Sequence, residues 1–174
     1  MPSLSYRFDV TPALRWSVQR ELQRRSRWYR RMQYAYAALP LVLVGLSLAS
    51  GRSLTVAVVD NLAWVVGLPL FGFVGLPWLS RWTTARQLRS NPALGGAQAF
   101  ALTDDGLAME NAAGSTLVRW SALLRVVEAP EHFLFYYSPQ CAYYLPRATV
   151  PLAELPTVRS FITAHTTVPT DLAA

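Results

Sequence analysis

The two histidines are the first candidates for chemistry in this sequence, because imidazole acts as a general base and as a metal ligand near neutral pH. His132 follows Glu131 in a predicted turn, and His165 stands at the end of a predicted helix. A zinc site needs three or four ligands at loop or helical spacing, and two isolated histidines do not supply them. The sequence therefore predicts no metal site.

The remaining reactive groups are two adjacent carboxylates and one thiol. Asp104 and Asp105 precede Gly106, and Asp followed by Gly is favoured in tight turns for backbone reasons. Cys141, the single cysteine, has no base near it in the sequence, and we expect it to be a half-buried strand residue. No glycine-rich phosphate-binding motif occurs. We therefore expect no catalytic residue, no cofactor and no enzymatic activity.

Two long segments without charge dominate the N-terminal half of the chain. Residues 32–51 and 61–80 each contain twenty residues and no charged side chain. About twenty helical residues cross a hydrocarbon core of about 30 Å, and a helix pairs its own backbone groups in lipid. These segments predict two membrane-spanning helices. The alternatives are a cleaved signal peptide, disfavoured by the long charged lead and the second segment, and a buried hairpin, which the rest of the chain is too small to cover.

Arginines flank the two apolar segments unequally. Ten arginines between residues 15 and 89 lie on the side of the two termini, whereas the connector of residues 51–60 carries only Arg52. Positive flanks stay in the cytoplasm, so this distribution predicts a membrane protein whose two termini are cytoplasmic and whose connector faces outward. Aromatic side chains at the same end are typical of interface anchors. The predicted membrane-interface residues are Arg24, Arg25, Arg27, Trp28, Arg30, Arg31, Trp78, Arg81, Trp82 and Arg86.

The second apolar segment has an unusual composition for a helix. Three glycines and two prolines lie between residues 67 and 77. One interpretation is a broken helix that lines a transport pathway; the interpretation that we favour is a kinked helix that packs closely on its partner through small residues. Asp60, directly before the segment, is predicted to be the N-cap of this helix at the outer interface.

The N-terminal segment predicts a strand followed by a helix. Apolar residues alternate from residue 6 to residue 10, and Thr11 followed by Pro12 is typical of an N-cap with proline at the first helical position. Leu14, Val18 and Leu22 then recur every fourth residue among arginines. This pattern predicts a basic amphipathic helix that lies against anionic headgroups, or that acts only as a topology signal.

The C-terminal part predicts an antiparallel sheet and one helix. Short segments of alternating polarity are separated by turn residues, beginning with a hairpin whose turn is residues 104–106, and two aromatic strands follow between residues 133 and 146. Residues 155–165 place apolar side chains at helical spacing. The predicted fold class is a membrane α-helical hairpin plus an α+β domain, in which a curved antiparallel sheet is covered by a C-terminal helix.

The order of these features resembles the YcxB-like bacterial membrane proteins, which combine a cytoplasmic lead, two membrane spans and a C-terminal domain similar to the pleckstrin-homology (PH-like) fold. The matching positions are Phe100, Thr103, Gly106, Trp120, Val127, Glu128, Phe133, Tyr144, Pro146, Arg147 and Phe161. Six of them form the predicted core and signature set of the domain: Phe100, Gly106, Trp120, Phe133, Pro146 and Phe161. The resemblance implies an antiparallel PH-like curved sheet, but it does not identify a biochemical activity.

The predicted organisation has seven parts. They are a strand and basic helix (1–31), a first span (32–50), an external loop (51–60), a second span (61–80), a linker (81–96), the YcxB-like domain (97–166) and a tail (167–174). Residues 1–96 carry a net charge of +9 and residues 97–174 a net charge of −3, so the basic charge flanks the spans and does not predict nucleic-acid binding.

Three functions remain open from the sequence. The protein holds a PH-like domain at the inner membrane surface for protein interaction or for regulation of a membrane complex; or it senses anionic lipid; or its hairpin oligomerises into a transporter or channel subunit. The expected partners are the lipid bilayer and either a protein partner or further copies of the chain.

Overall fold

The computed structural model describes residues 4–91 and 95–172. The first residues of the predicted 1–31 segment, part of the predicted linker and the last two residues of the predicted tail lie outside the described residues. The helices are α1 (Pro12–Arg25), α2 (Arg27–Ala49), α3 (Leu54–Asp60), α4 (Leu62–Leu70), α5 (Leu76–Ser90) and α6 (Leu155–His165). The strands are β1 (Leu4–Val10), β2 (Gly96–Thr103), β3 (Gly106–Asn111), β4 (Gly114–Arg119), β5 (Arg125–Glu128), β6 (His132–Tyr136), β7 (Ala142–Pro146) and β8 (Thr170–Asp171).

The chain divides into two compact units. Residues 1–22 and 87–174 form the first, which we call the sheet unit, and residues 23–86 form the second, which we call the helical hairpin. The hairpin is therefore inserted into the sequence of the sheet unit. The predicted domain at residues 97–166 left out the N-terminal part of this unit.

The first sheet of the sheet unit has the strand order β1-β2-β3-β4 and is antiparallel throughout. Its edge strand β1 pairs with β2 from Leu4 opposite Leu102 to Val10 opposite Gly96. Alternate residues of β1 are buried, as the alternating sequence predicted. The sequence pattern identifies this strand but not its partner, which lies more than eighty residues away on the far side of the hairpin.

The β2–β3 hairpin has the turn that the sequence predicted. Thr103 pairs with Gly106, so Asp104 and Asp105 occupy the turn. Glycine is required at position 106, because a Cβ there would lie 2.0 Å from the carbonyl oxygen of Val118 on β4. Trp120 directly follows β4 and begins a 3₁₀ turn, from which its indole donates a hydrogen bond to the Thr103 carbonyl at 2.9 Å.

The second sheet has the order β7-β6-β5-β8. The antiparallel strands and C-terminal helix of the predicted fold class are confirmed, but the strands form two four-stranded sheets where the sequence suggested one curved sheet. The short strand β8 lies within the predicted tail and pairs parallel to β5. Buried side chains of the two sheets, of α6, of the end of α5 and of the connecting segments form one core: Tyr6, Phe8, Val10, Leu88, Phe100, Leu102, Leu107, Met109, Trp120, Leu123, Val126, Phe133, Phe135, Leu145, Val150, Leu155, Val158 and Ile162.

The helical hairpin contains two long apolar helical segments. The first is α2, and the second runs from Leu62 to Ser90 through α4, a π-helical turn (Phe71–Gly75) and α5. Both are long and apolar enough to cross a membrane, and 6% of the most apolar window of each is buried. The second helix continues through much of the predicted 81–96 linker.

The connector between the two long helices differs from the predicted loop. Residues 54–60 form the short helix α3, capped by Ser53, whose hydroxyl accepts a hydrogen bond from the Val56 amide. Asp60 is not the N-cap of the next helix, because it ends α3 and pairs with Arg52 at 2.6 Å. Asn61 takes the cap position, and its side-chain amide donates to the Ala57 carbonyl at 2.8 Å.

Small residues bring the two long helices together, as the favoured interpretation of the second segment predicted. A Cβ at Gly72 would lie 2.8 Å from the Cβ of Tyr36 on α2. The Tyr36 ring also meets the Phe71 ring edge-to-face, with centroids 5.9 Å apart. Helices that approach through glycine gain van der Waals contact between backbones, which is the main source of helix association in lipid.

Candidate functional site

Helix α1 packs on the second sheet of the sheet unit. It begins at Pro12, and the Leu14 amide donates to the hydroxyl of the N-cap Thr11 at 3.1 Å. Val18 is buried in a small cluster with residues of β5 and β6, and Leu22 packs against the same cluster. The apolar face of α1 therefore covers a sheet, and the expectation that this face lies against headgroups is wrong. A periodic apolar stripe does not reveal whether protein or lipid will cover it.

A cleft of about 450 Å³ opens beside the N-terminal half of α1. One wall is formed by Leu14 and Ser17, and the others come from the β5–β6 turn and from the segment after β7. The residues contributed by these segments are Pro130, Glu131, His132, Pro146, Arg147, Ala148, Val150 and Leu152. Most of the lining is apolar, with a hydroxyl, an imidazole, a carboxylate and a guanidinium among it, which is the usual composition of a binding site.

His132 forms the floor of this cleft and is almost completely buried, with 2% of its surface exposed. Its Nε2 lies 3.1 Å from the Ser17 hydroxyl, and its ring meets the Tyr144 ring edge-on at 6.4 Å. Burial lowers the pKa of His132, while the charges of Glu131 and Glu21 act in the opposite direction to a smaller extent. The imidazole forms a buried contact between β6 and α1.

The Ser17–His132 pair joins α1 to β6. The Ser17 hydroxyl donates to the Leu14 carbonyl one helical turn earlier at 2.8 Å and lies 3.1 Å from His132 Nε2, where the direction of the hydrogen bond depends on the imidazole tautomer. We interpret the pair as a structural link. Sequence reasoning missed Ser17, because nothing in the local pattern connects it to a residue 115 positions away.

A buried carboxylate lies close to the cleft. The Glu128 side chain is 2% exposed and accepts two hydrogen bonds from Arg159 on α6, at 2.9 and 2.8 Å. Arg147 lies further away, at 3.7 Å. The guanidinium group of Arg159 binds the carboxylate in a bidentate way and neutralises its charge. This ion pair holds α6 against β5. Arg147 keeps a third of its side chain exposed, and its guanidinium is available at the wall of the cleft.

The rim of the cleft carries an exposed apolar side chain. Leu152 is 82% exposed, and it begins the short 3₁₀ turn that precedes α6. Glu131 and Arg147 stand on the same lining, with a backbone hydrogen bond from the Arg147 amide to the Glu131 carbonyl at 2.8 Å. The cleft thus offers one exposed apolar side chain together with one negative and one positive group.

The other sequence candidates lie apart from the cleft. His165 stacks on Phe161 at 4.2 Å between ring centroids, and its Nε2 lies 3.2 Å from Asp104 Oδ1, so it links α6 to the β2–β3 turn. Cys141 is exposed, and the expectation of a half-buried strand residue is wrong, because β7 begins one residue later. Among residues 4–91 and 95–172, no three His, Cys, Asp or Glu side chains are grouped to hold a metal ion.

The predicted signature residues fall mostly into the core of the sheet unit. Phe100 and Phe133 are fully buried, Trp120 and Pro146 are buried, and Phe161 packs on the core from α6. The predicted membrane-interface residues lie in the helical hairpin. Those whose side chains are exposed are Arg24, Arg27, Trp28, Arg30, Arg31, Trp78, Arg81, Trp82 and Arg86, while Arg25 is half-exposed.

Comparison with protein families agrees with the resemblance inferred from the sequence. Residues 102–162 match the family model described as YcxB-like protein. The match begins in β2 and ends in α6, so it covers β3 to β7 and excludes β1, α1 and the helical hairpin. Comparison with curated proteins and with solved structures gives no match.

Proposed function

We propose that this chain, whose residues 102–162 match the YcxB-like family, is an integral protein of the bacterial cytoplasmic membrane that holds its sheet unit at the cytoplasmic face to bind a partner protein. The observation that carries the proposal is the exposed apolar surface of the helical hairpin. Its large side chains point outward along both long helices, including Leu41, Leu46, Val66 and Phe73. Exposure of so large an apolar surface to water is unfavourable, whereas the hydrocarbon core of a bilayer covers it without a further protein.

The pairing of β1 with β2 supports an even number of membrane crossings. These strands lie on opposite sides of the hairpin in sequence, and their backbones are hydrogen-bonded along seven residue pairs. Paired strands must share one compartment, so the chain between Val10 and Gly96 has to return to the side from which it left. A single span or a cleaved leader would separate β1 from its partner or remove it. Two spans satisfy this requirement.

The arginine distribution supports the cytoplasmic side for the sheet unit. Seven arginines lie in the hairpin at its two sequence ends, whereas the connector has one, Arg52, whose charge is paired with Asp60. The unit then faces the cytoplasm with its two sheets and with α6, which precedes the short last strand β8. The PH-like character of this unit is proposed from the resemblance.

The cleft beside α1 is the proposed contact surface for the partner. It offers an apolar lining, an exposed leucine at the rim and two opposite charges, which suits a protein segment with one apolar anchor. The His132–Ser17 contact and the Glu128–Arg159 pair hold the elements that form its walls. We propose recognition and no catalysis, because the Ser17, His132 and Glu128 side chains are engaged in contacts that join neighbouring elements.

Reporter fusions test the membrane arrangement. A reporter that is active only in the periplasm should be active after Gly51 and silent after Ala174, and a cytoplasmic reporter should show the reverse. As a control, fusions at the same positions in a variant with Arg24, Arg27, Arg30 and Arg31 replaced by glutamine should show mixed orientation. Periplasmic activity at Ala174 in the unaltered chain would overturn the proposed placement.

Site-specific photocrosslinking tests the contact surface. A photoreactive amino acid at Leu152 should give one discrete adduct in intact cells, whose crosslinked peptide belongs to a cytoplasmic segment of another membrane protein. Leu14→Asp, which places a charge in the cleft wall, should remove that adduct. The matched probe is Leu117, an exposed leucine on the edge strand β4. An adduct from Leu117 alone would move the contact to the sheet edge, and lipid adducts alone at Leu152 would reject a protein partner.

A further inference from the structure

The helical hairpin carries a concentrated positive charge at one end. Six exposed arginines lie near the beginning of α2 and within α5, and we call them the arginine belt: Arg24, Arg27, Arg30, Arg31, Arg81 and Arg86. The only acidic residue between positions 23 and 86 is Asp60, at the opposite end of the hairpin, where it pairs with Arg52. The belt therefore has no carboxylate within the hairpin to neutralise it.

The two parts of the belt are held together. The Gln23 side-chain amide donates to the Ser80 hydroxyl at 3.1 Å, which joins the segment before α2 to α5. Arg24 and Arg81 directly follow these two residues in sequence. Helix α2 begins at its N-cap Ser26 and has no acidic residue in its first turn, so its arginines meet the positive end of the helix dipole. Bringing these charges together costs free energy, which an external anion would recover.

Exposed tryptophans indicate the depth in the bilayer at which the arginine belt would lie. Trp28, Trp78 and Trp82 lie within the same stretches of sequence as the arginines, and each is about half exposed or more. The Arg86 guanidinium lies 5.3 Å from the centre of the Trp82 ring. Indole rings concentrate at the level of lipid headgroups, where the apolar ring is buried and the N–H is hydrated. The arginines beside them are then at the level of the phosphates.

We propose that the arginine belt binds the headgroups of anionic phospholipids through their phosphate oxygens. A guanidinium group can donate two hydrogen bonds to one phosphate group. Exposed arginines next to an apolar surface can therefore contact both the phosphate groups and that surface. The proposal rests on the membrane placement argued above. It locates lipid recognition in the hairpin and not in α1, whose apolar face covers the sheet unit. Each arginine near an anionic surface contributes about fivefold in affinity at low salt.

Fluorescence quenching by brominated lipids tests this proposal on the full chain. The protein is reconstituted in nanodiscs that contain either brominated phosphatidylglycerol in unlabelled phosphatidylcholine, or the reverse labelling. Because Trp28, Trp78 and Trp82 lie beside the belt, enrichment of the anionic lipid should make brominated phosphatidylglycerol the stronger quencher, by severalfold at 50 mM salt and less at 500 mM. Soluble glycerol phosphate should not compete, because the bound group is part of the bilayer.

Substitutions of the arginines show which part of the belt causes the difference in quenching. Arg27→Gln combined with Arg30→Gln and Arg31→Gln should bring quenching by the two lipids close together, and Arg81→Gln with Arg86→Gln should reduce the difference in part. The matched control is Arg52→Gln at the other end of the hairpin, which should leave the difference unchanged. Equal quenching by both lipids in the unaltered protein would overturn the belt as a lipid site. Absence of quenching by either lipid would instead reject the membrane placement itself.

Discussion

The sheet unit and the helical hairpin use similar residues in opposite ways. In the sheet unit the large apolar side chains point inward, so Phe100, Phe133 and Phe135 are fully buried. In the hairpin side chains of the same kind point outward, and Phe73 is half exposed. Apolar side chains inside a water-soluble unit are held by the cost of exposing them, whereas helices in lipid associate through close backbone contact. The difference is compatible with the proposal that the hairpin lies in a membrane while the sheet unit is covered by water.

The first prediction tests this contrast with a matched pair of phenylalanines. Phe133→Ala should destabilise the sheet unit by about 3–5 kcal/mol, because it opens a cavity in a fully packed core. Phe73→Ala should change the stability of the hairpin by less than about 1 kcal/mol, since half of the side chain is exposed and the substitution opens no closed cavity. Hydrogen exchange of the full-length protein in micelles, read separately at β6 and at α2, measures both. A large loss at Phe73 would show that this face is covered by another copy of the chain.

The second prediction compares two glycines. Gly106→Ala should cost the sheet unit about 2–3 kcal/mol, because the new Cβ would meet the backbone of Val118, which a rotamer change cannot relieve. Gly45→Ala in α2 is the control, because no atom outside its own helix backbone lies within 4 Å of the new Cβ and alanine favours the helix. The urea midpoint of each variant gives the measurement. Equal stability of Gly106→Ala and the unaltered protein would contradict the close approach of β3 and β4.

The third prediction concerns pH and has the smallest effect. Burial lowers the pKa of His132 in the folded state, so below its ordinary value of about 6.5 the unfolded chain binds a proton that the folded chain does not. The stability of the sheet unit should therefore fall as the pH falls below about 6.5, until the pH passes the lowered pKa. Urea titrations between pH 5 and pH 7.5 measure this dependence.

Substitution of each histidine in turn shows which of the two causes the pH dependence of stability. His132→Gln should flatten the dependence, because the neutral side chain does not titrate, while His165→Gln should retain it. A profile that is unchanged in His132→Gln would assign the dependence to another group. The hairpin contains no histidine, and its only carboxylate is Asp60, so its own stability should vary little over this range.

For α1, the local sequence pattern correctly predicted the helix and its apolar face, but it did not predict the surface against which that face packs. Thr11, Pro12 and the spacing of Leu14, Val18 and Leu22 predicted the helix and its apolar face, and the structure has both. Contact with lipid headgroups was one of the two predicted roles of that helix, but its apolar face packs against the second sheet. Periodicity reports which side of a helix is apolar, while the partner depends on residues more than a hundred positions away.

The sequence alone determined the features that arise from neighbouring residues. Two uncharged segments of helical length, the turn at Asp104 and Asp105, the aromatic strands and α6 follow from hydropathy, turn chemistry and spacing, which act over a few residues. Tertiary structure decided which strand is the partner of β1, what covers α1, and that Ser17 meets His132 to form the cleft. These contacts join segments separated by the whole hairpin, and each pair of residues is compatible with many other arrangements until the core is packed.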